Sequence, residues 1–165
     1  MAALSSTATL HFQAAHDFLK IGNPSGAQQA IDQIGPEDLE HPDILEIRWE
    51  LAAQAQQWDL ALQLAKTLCQ LAPENEFAWL WQACSLHELG RDQEAYDTLV
   101  AASERFPKSP AIAYNLACCA CRLGRPADAW PWLTKAIGNG GRAEVKLMAL
   151  SDPDLAPLLD QICAL

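Results

Sequence analysis

The sequence has little positive charge and no long apolar run. Its 165 residues contain 11 Lys and Arg against 21 Asp and Glu, which gives a formal net charge of −10 at pH 7. Nucleic acids and anionic membrane surfaces attract proteins through clustered basic residues. The apolar runs fall well short of the ~20 residues that span a bilayer. The composition therefore predicts neither a nucleic-acid partner nor a membrane partner.

The first residues of the sequence lack the basic stretch and the dense apolar stretch of a secretory signal. Six cysteines are present, but three of them, Cys118, Cys119 and Cys121, crowd into one expected helix, where neighbours cannot form a disulfide of acceptable geometry. Reduced thiols in a reducing compartment fit this arrangement better. We therefore expect a cytoplasmic protein.

Valine and isoleucine are sparse, and no stretch alternates strictly between apolar and polar residues, so β-strands have little support. The sequence has instead an internal repeat. Four alanines follow one another at intervals of 34 residues: Ala27, Ala61, Ala95 and Ala129. A glycine precedes three of them by five residues, and Gln56 replaces it in the second repeat. A fixed period of this length is typical of stacked helical repeats.

Each repeat is predicted to contain two helices. Apolar residues fall at helical spacing over residues 77–89, the pattern breaks at Gly90, and a second apolar stripe covers residues 93–106. Pro107 ends that stripe, and Ser109 is the expected N-cap of the next helix. The sequence thus predicts an all-α protein built of helix pairs.

The third repeat carries the fullest pattern: Trp79, Ala83, Leu86, Gly90, Ala95, Leu99, Ala102 and Pro107. This pattern resembles the tetratricopeptide repeat family, whose unit is a helix–turn–helix of 34 residues. The resemblance implies a right-handed superhelical array that forms a single domain over residues 1–165. Its repeats are expected at about residues 8–41, 42–75, 76–109 and 110–143, with a capping helix pair at 144–165.

Some residues depart from the pattern. In the second repeat Arg48 takes a usually apolar position and Trp49 takes a position for a small residue, so that helix pair is expected to be splayed or shifted in register. Pro131 predicts a kink or a late start in the second helix of the fourth repeat. Ser151, followed by Asp154, is expected to begin a helix of the cap.

The resemblance also implies a function. In this family the first helices of the repeats line a concave groove that holds a peptide or a helix of a partner. Positions relative to the repeated alanines, together with an acidic stripe on one helix, give nine expected groove residues: Phe12, His16, Asp43, Glu46, Glu50, Trp81, Tyr114, Asn115 and Arg122.

The acidic stripe, Asp43, Glu46 and Glu50, favours a basic partner segment, and Trp81 and Tyr114 offer apolar contact area. Two alternatives stay open: the aromatic residues pack against the next repeat, and the stripe is a solvated helix face. We expect a non-catalytic adaptor, scaffold or chaperone-like module that binds a protein or peptide. We expect no cofactor, and a monomer or a weak homodimer.

The alternative from a different class is a zinc-binding or redox-sensing module. Cys84 and His87 are three residues apart, as are Cys118 and Cys121, and the two pairs occupy equivalent places in adjacent repeats. Three sulfurs and one imidazole are a suitable tetrahedral set for zinc. No phosphate-binding glycine loop and no catalytic motif is present, so no catalytic residue is assigned.

Overall fold

The computed structural model describes residues 3–165, and all regular secondary structure in that range is helical. The helices are α1 (Ser6–Lys20), α2 (Pro24–Ile31), α3 (Pro42–Gln54), α4 (Trp58–Leu71), α5 (Glu76–Glu88), α6 (Asp92–Arg105), α7 (Pro110–Arg122), α8 (Pro126–Gly140), α9 (Arg142–Ser151), a 3₁₀ helix (Pro153–Leu158) and α10 (Leu159–Cys163). The predicted all-α class is confirmed. Within residues 3–165, no helix is both long and apolar enough to cross a membrane.

The turn inside each helix pair has the same backbone conformation. Gly22, Gly90 and Gly124 each have φ of 71°, in the left-handed region that glycine enters without steric cost. Gln56 occupies the equivalent place in the second repeat and has φ of 56°. The repeat seen in the sequence is therefore a repeat of backbone geometry, and the second repeat keeps that geometry without the glycine.

The chain divides by its internal packing into two compact units, Met1–Trp81 and Gln82–Leu165, and the division falls inside α5. We call them the first and the second unit. In the first unit α1 packs on α2 and α3 packs on α4. The repeated alanines Ala27 and Ala61 are fully buried there, because a methyl group allows the paired helices to approach closely.

The second unit has its core between α7, α8 and the C-terminal helices. Ala129 and Leu133 of α8 are fully buried, and the tail adds three buried apolar side chains: Leu155, Leu158 and Ile162. These three residues cover the apolar side of the fourth repeat.

The helix ends agree with the sequence in some places and not in others. The Ser109 hydroxyl accepts a hydrogen bond from the Ile112 N–H at 3.1 Å, which confirms the expected N-cap of α7. The expected helix start at Ser151 is wrong, because Ser151 is the last residue of α9 and Asp152 caps the following 3₁₀ helix. Of the two outcomes predicted at Pro131, the late start is wrong, since α8 runs from Pro126 through Pro131, and the kink stays a prediction.

Candidate partner-binding surfaces

The first unit presents acidic and aromatic side chains together. Asp43, Glu46 and Glu50 lie three and four residues apart on α3, which places them along one side of the helix, and Trp49 lies beside them. Phe77 and Trp81 of α5 complete the group. We call these six residues the acidic–aromatic surface.

The aromatic part of this surface is built around two indoles. The rings of Trp49 and Trp81 stack with centroids 4.8 Å apart and planes 13° apart. The Phe77 ring lies 6.0 Å from that of Trp81, and Phe77 is 61% exposed. Trp81 therefore packs on the preceding repeat, and a neighbouring phenyl ring stays open to solvent. Exposed aromatic rings offer large contact area at low cost in conformational entropy.

The acidic part includes one carboxylate held in a partly buried position. Glu46 accepts a hydrogen bond from Asn75 Nδ2 at 2.7 Å. Burial raises the pKa of Glu46, the Asn75 bond lowers it, and the nearby charge of Asp43 raises it, with a net upward shift. Asp43 and Glu50 are exposed. The acidic stripe is thus only in part a solvated helix face.

Phe12 and His16, the two expected groove residues on α1, lie side by side with ring centroids 6.2 Å apart. Both are partly buried, and Phe12 packs against the core of the first unit. Phe12 therefore contributes to packing, and only part of its ring is accessible to a partner.

In the second unit, α7 and α9 border a pocket of about 240 Å³. Tyr114 and Asn115, both expected groove residues, line it together with Val145, and Glu144 and the 56% exposed Met148 of α9 face it as well. The Asn115 side chain donates to the Ala111 carbonyl at 2.9 Å. This α7–α9 pocket is mostly apolar and has one acidic residue in its lining.

The segment after α9 occupies part of the polar surface of α7. The Tyr114 hydroxyl donates to Asp152 Oδ2 at 2.8 Å, and the Cys118 thiol lies 3.6 Å from the same oxygen. Burial raises the pKa of Tyr114, and the bond to Asp152 raises it further. The phenol therefore stays protonated, and its hydroxyl is bound by the chain itself while its ring still faces the pocket.

Arg122 is also engaged within the second unit. Its guanidinium pairs with Asp92 at 2.9 Å and with Asp154 at 3.5 Å, and Asp92 lies 3.3 Å from His87 Nδ1. The side-chain bond to Asp92 raises the pKa of Arg122. This predicted groove residue thus links α7 to the start of α6 and to the tail.

The cysteines of the zinc alternative lie in different surroundings. Cys118 and Cys121 are buried, which raises the pKa of both thiols, and Cys84 is exposed. Across residues 3–165, no three His, Cys, Asp or Glu side chains, His87 included, come together as a metal site. The structure adds no geometric support to that alternative.

Neither protein-family models nor curated protein sequences gave a match to this chain. Solved structures do match. YrrB, described as "a TPR protein with an unusual peptide-binding site", aligns with a TM-score of 0.74 and 20% identity over 88% of this chain and 75% of its own. The structure "MamA 41-end from Desulfovibrio magneticus RS-1" aligns with a TM-score of 0.76 and 15% identity over 98% of this chain and 94% of its own. This protein has a tetratricopeptide repeat fold.

Three residues that contribute to these surfaces are not predicted as site residues by the sequence. Trp49 was interpreted as a misfit between helices, whereas its ring lies on the acidic–aromatic surface. Asp154 is expected only at a helix start and Asp152 is not singled out, but Asp152 binds Tyr114 and Asp154 binds Arg122. The stacking of Trp49 was detectable in principle, because Trp81 lies 32 residues further on, close to one repeat length.

Proposed function

We propose that this protein is a non-catalytic protein-interaction module that binds a peptide or a helix of a partner along the first helices of its repeats. The tetratricopeptide repeat fold supports this proposal, since such a fold presents extended surfaces rather than an enclosed catalytic cavity. The described peptide-binding site of YrrB supports it by analogy of fold. A location in the cytoplasm and a monomeric or weakly dimeric state stay predictions from the sequence.

The observation that carries the proposal is the acidic–aromatic surface of the first unit. Phe77 is 61% exposed beside the stacked pair Trp49 and Trp81, and three carboxylates follow the same side of α3. Binding energy at interfaces concentrates in aromatic anchors, and complementary charge speeds the encounter of the partners.

The chemistry of this surface defines the partner segment. Apolar side chains would cover Phe77 and Trp81, and Lys or Arg would face Asp43, Glu46 and Glu50. Arginine suits both parts, because its planar guanidinium pairs with carboxylates and stacks on aromatic rings. We therefore propose a basic and apolar segment as the ligand of the first unit.

The α7–α9 pocket would accept one further apolar side chain. Its volume of about 240 Å³ exceeds that of a single large side chain, and the exposed Met148 can change rotamer to fit the guest. Glu144 in the lining favours a guest that carries a basic neighbour. This pocket would thus prefer the same class of segment as the first unit.

The experiment is a selection from a random peptide library on the immobilised full chain, followed by affinity measurements on the enriched peptides. Selected peptides should combine Lys or Arg with Leu, Phe or Trp. A triple variant with Asp43→Asn, Glu46→Gln and Glu50→Gln should bind them at least tenfold more weakly at low salt.

The matched control removes the same charge from exposed acids elsewhere, through Asp97→Asn, Glu104→Gln and Asp128→Asn. This control should bind the peptides almost as the native chain does. Selection of acidic peptides, or equal weakening by the two triple variants, would contradict the proposal, because the local pattern of charge would then not matter.

A further inference from the structure

A second feature of the first unit lies apart from the acidic–aromatic surface. Two pockets of about 200 and 280 Å³ have Gln28 and Arg48 in common, and Arg48 projects from α3 between them. Leu60 and Leu64 of α4 line the smaller pocket, and Ile31 lies in the larger one. We call the two pockets together the Arg48 cleft.

The guanidinium of Arg48 has few partners within the chain. Its Nη1 donates to the Leu39 carbonyl at 3.1 Å. In the part of the chain that the structure describes, residues 3–165, no carboxylate forms an ion pair with Arg48. A guanidinium carries five N–H donors, and a partly buried charge is unfavourable unless it is paired. The cleft is therefore suited to an anion.

Two departures of the second repeat from the repeat pattern lie at this cleft or next to it in the chain. Arg48 stands where the fourth repeat has the buried Leu116. Gln56 holds a left-handed φ of 56° without being glycine, and its neighbours Ala55 and Gln57 line the smaller pocket.

The lining of the smaller pocket indicates the chemistry of the rest of the ligand, the part that carries the acid group. Leu60, which is 40% exposed, supplies apolar contact area, whereas Leu51 and Leu64 are buried, and Gln57 supplies an amide that can pair with a polar group. The larger pocket contains Asp32, whose negative charge repels an anion. The acid group therefore belongs on the side of the smaller pocket.

We propose that the Arg48 cleft binds a carboxylate carried on an apolar body, with the carboxylate on Arg48 and the body against the exposed Leu60. The planar guanidinium matches a carboxylate through two parallel N–H···O bonds. Two sources offer this chemistry: the C-terminus of a peptide that ends in an apolar residue, and a small free carboxylic acid.

The test follows leucine methyl signals of the full chain by NMR during titration with hexanoate and with N-acetyl-leucine, each compared with its neutral amide. Both acids should shift the Leu60 and Leu64 signals saturably, and the amides should bind at least tenfold more weakly. Arg48→Leu should weaken acid binding at least tenfold. Arg48→Lys should retain part of the acid binding, because lysine keeps the positive charge but cannot form the two parallel hydrogen bonds of a guanidinium.

The control is Lys66→Leu, which removes an exposed cation from α4 and should leave acid binding unchanged. Tighter binding of N-acetyl-leucine than of hexanoate identifies a peptide terminus as the source, and tighter binding of hexanoate identifies a free acid. The proposal is overturned if neither acid saturates, if the amides bind equally well, or if Arg48→Leu binds as the native chain does. Arg48→Gln replaces Arg48→Leu should the latter lose its helical spectrum.

Discussion

The indole rings of Trp49 and Trp81 stack at 4.8 Å across two successive repeats of the first unit. Trp49 occupies a position where the other repeats have alanine, as at Ala15, Ala83 and Ala117. A small residue at this position lets the two helices of a repeat approach closely, whereas the indole of Trp49 extends to α5, the first helix of the next repeat. Trp49 in place of alanine thus forms part of the aromatic stack at the surface. It does not prevent the helix pair from forming, since α3 still packs on α4.

This stack should be measurable as a coupling free energy. Trp49→Ala, Trp81→Ala and the double variant form a thermodynamic cycle in urea unfolding. The expected coupling is about 0.5–1.5 kcal/mol, because offset aromatic pairs contribute that amount beyond their buried area. Additive effects of the two substitutions would show that the stacked arrangement is absent in solution.

Gln56→Gly should stabilise the protein. The left-handed conformation costs a residue with a Cβ about 1–2 kcal/mol of folding free energy. Glycine avoids that cost, but its larger conformational entropy in the unfolded chain offsets part of the gain in stability. We expect a net increase of about 0.5–1 kcal/mol in the free energy of unfolding.

The matched control is Gly124→Ala, at the equivalent turn with φ of 71° and no atom within 4 Å of an added Cβ. It should destabilise the protein by about 1 kcal/mol through backbone strain alone. A loss of stability on Gln56→Gly would mean that the Gln56 side chain contributes contacts that outweigh its backbone strain.

The repeat made most of the fold predictable. The spacing of Ala27, Ala61, Ala95 and Ala129 and the turn glycines report local backbone requirements that recur in every helix pair. The tail was harder, because α9 ends at Ser151 and the polar contacts of Asp152 and Asp154 depend on where that short helix stops. Such contacts join residues 30 or more positions apart, for which the repeat gives no rule.

The candidate site was less predictable than the fold. Offsets along the repeat predict Tyr114 and Asn115 as groove residues, and both line the α7–α9 pocket, while their role in binding stays a prediction. Such offsets do not predict that the Tyr114 hydroxyl binds Asp152 or that Arg122 pairs with two aspartates, because these partners come from elements outside the first helices.

Tyr114→Phe should lower stability at neutral pH and flatten its decline in alkali. The lost bond to the Asp152 carboxylate should cost about 1–2 kcal/mol. Since the folded-state pKa of Tyr114 is raised above its ordinary value of 10.0, its contribution is complete below pH 10 and is lost as pH rises further.

Urea unfolding between pH 7 and the alkaline range tests both effects. Tyr96→Phe is the control, because the Tyr96 hydroxyl accepts a longer bond, 3.4 Å, from the neutral indole of Trp132. That substitution should cost less than about 1 kcal/mol. Equal costs for the two tyrosines at pH 7 would argue against the bond to Asp152.

The six thiols should differ widely in reactivity. Burial raises the pKa of Cys69 to about 11 and that of Cys119 to about 12, so their reactive thiolate is scarce at neutral pH. An aromatic disulfide reagent should modify the exposed Cys84 and Cys163 in the native protein. Cys69, Cys118, Cys119 and Cys121 should react only after denaturant is added, and mass spectrometry of the modified peptides identifies each site.

Charge and aromatic contact on the acidic–aromatic surface should act on different rate constants. With a peptide selected on the full chain, neutralising Asp43, Glu46 and Glu50 should slow association and flatten its dependence on salt. Exposed charges act through long-range attraction that salt screens within about 10 Å at 0.1 M.

Trp81→Ala and Phe77→Ala should instead speed dissociation. An aromatic anchor in a desolvated centre contributes about 1–3 kcal/mol, which corresponds to roughly 5- to 150-fold in the dissociation rate. Trp132→Ala, on α8 of the second unit, controls for loss of an indole as such. The helical spectra of all variants must match that of the native chain. If neither rate constant changes in the acidic and aromatic variants, the peptide binds elsewhere, because a ligand on these six residues cannot lose both its steering charge and its anchors without a kinetic effect.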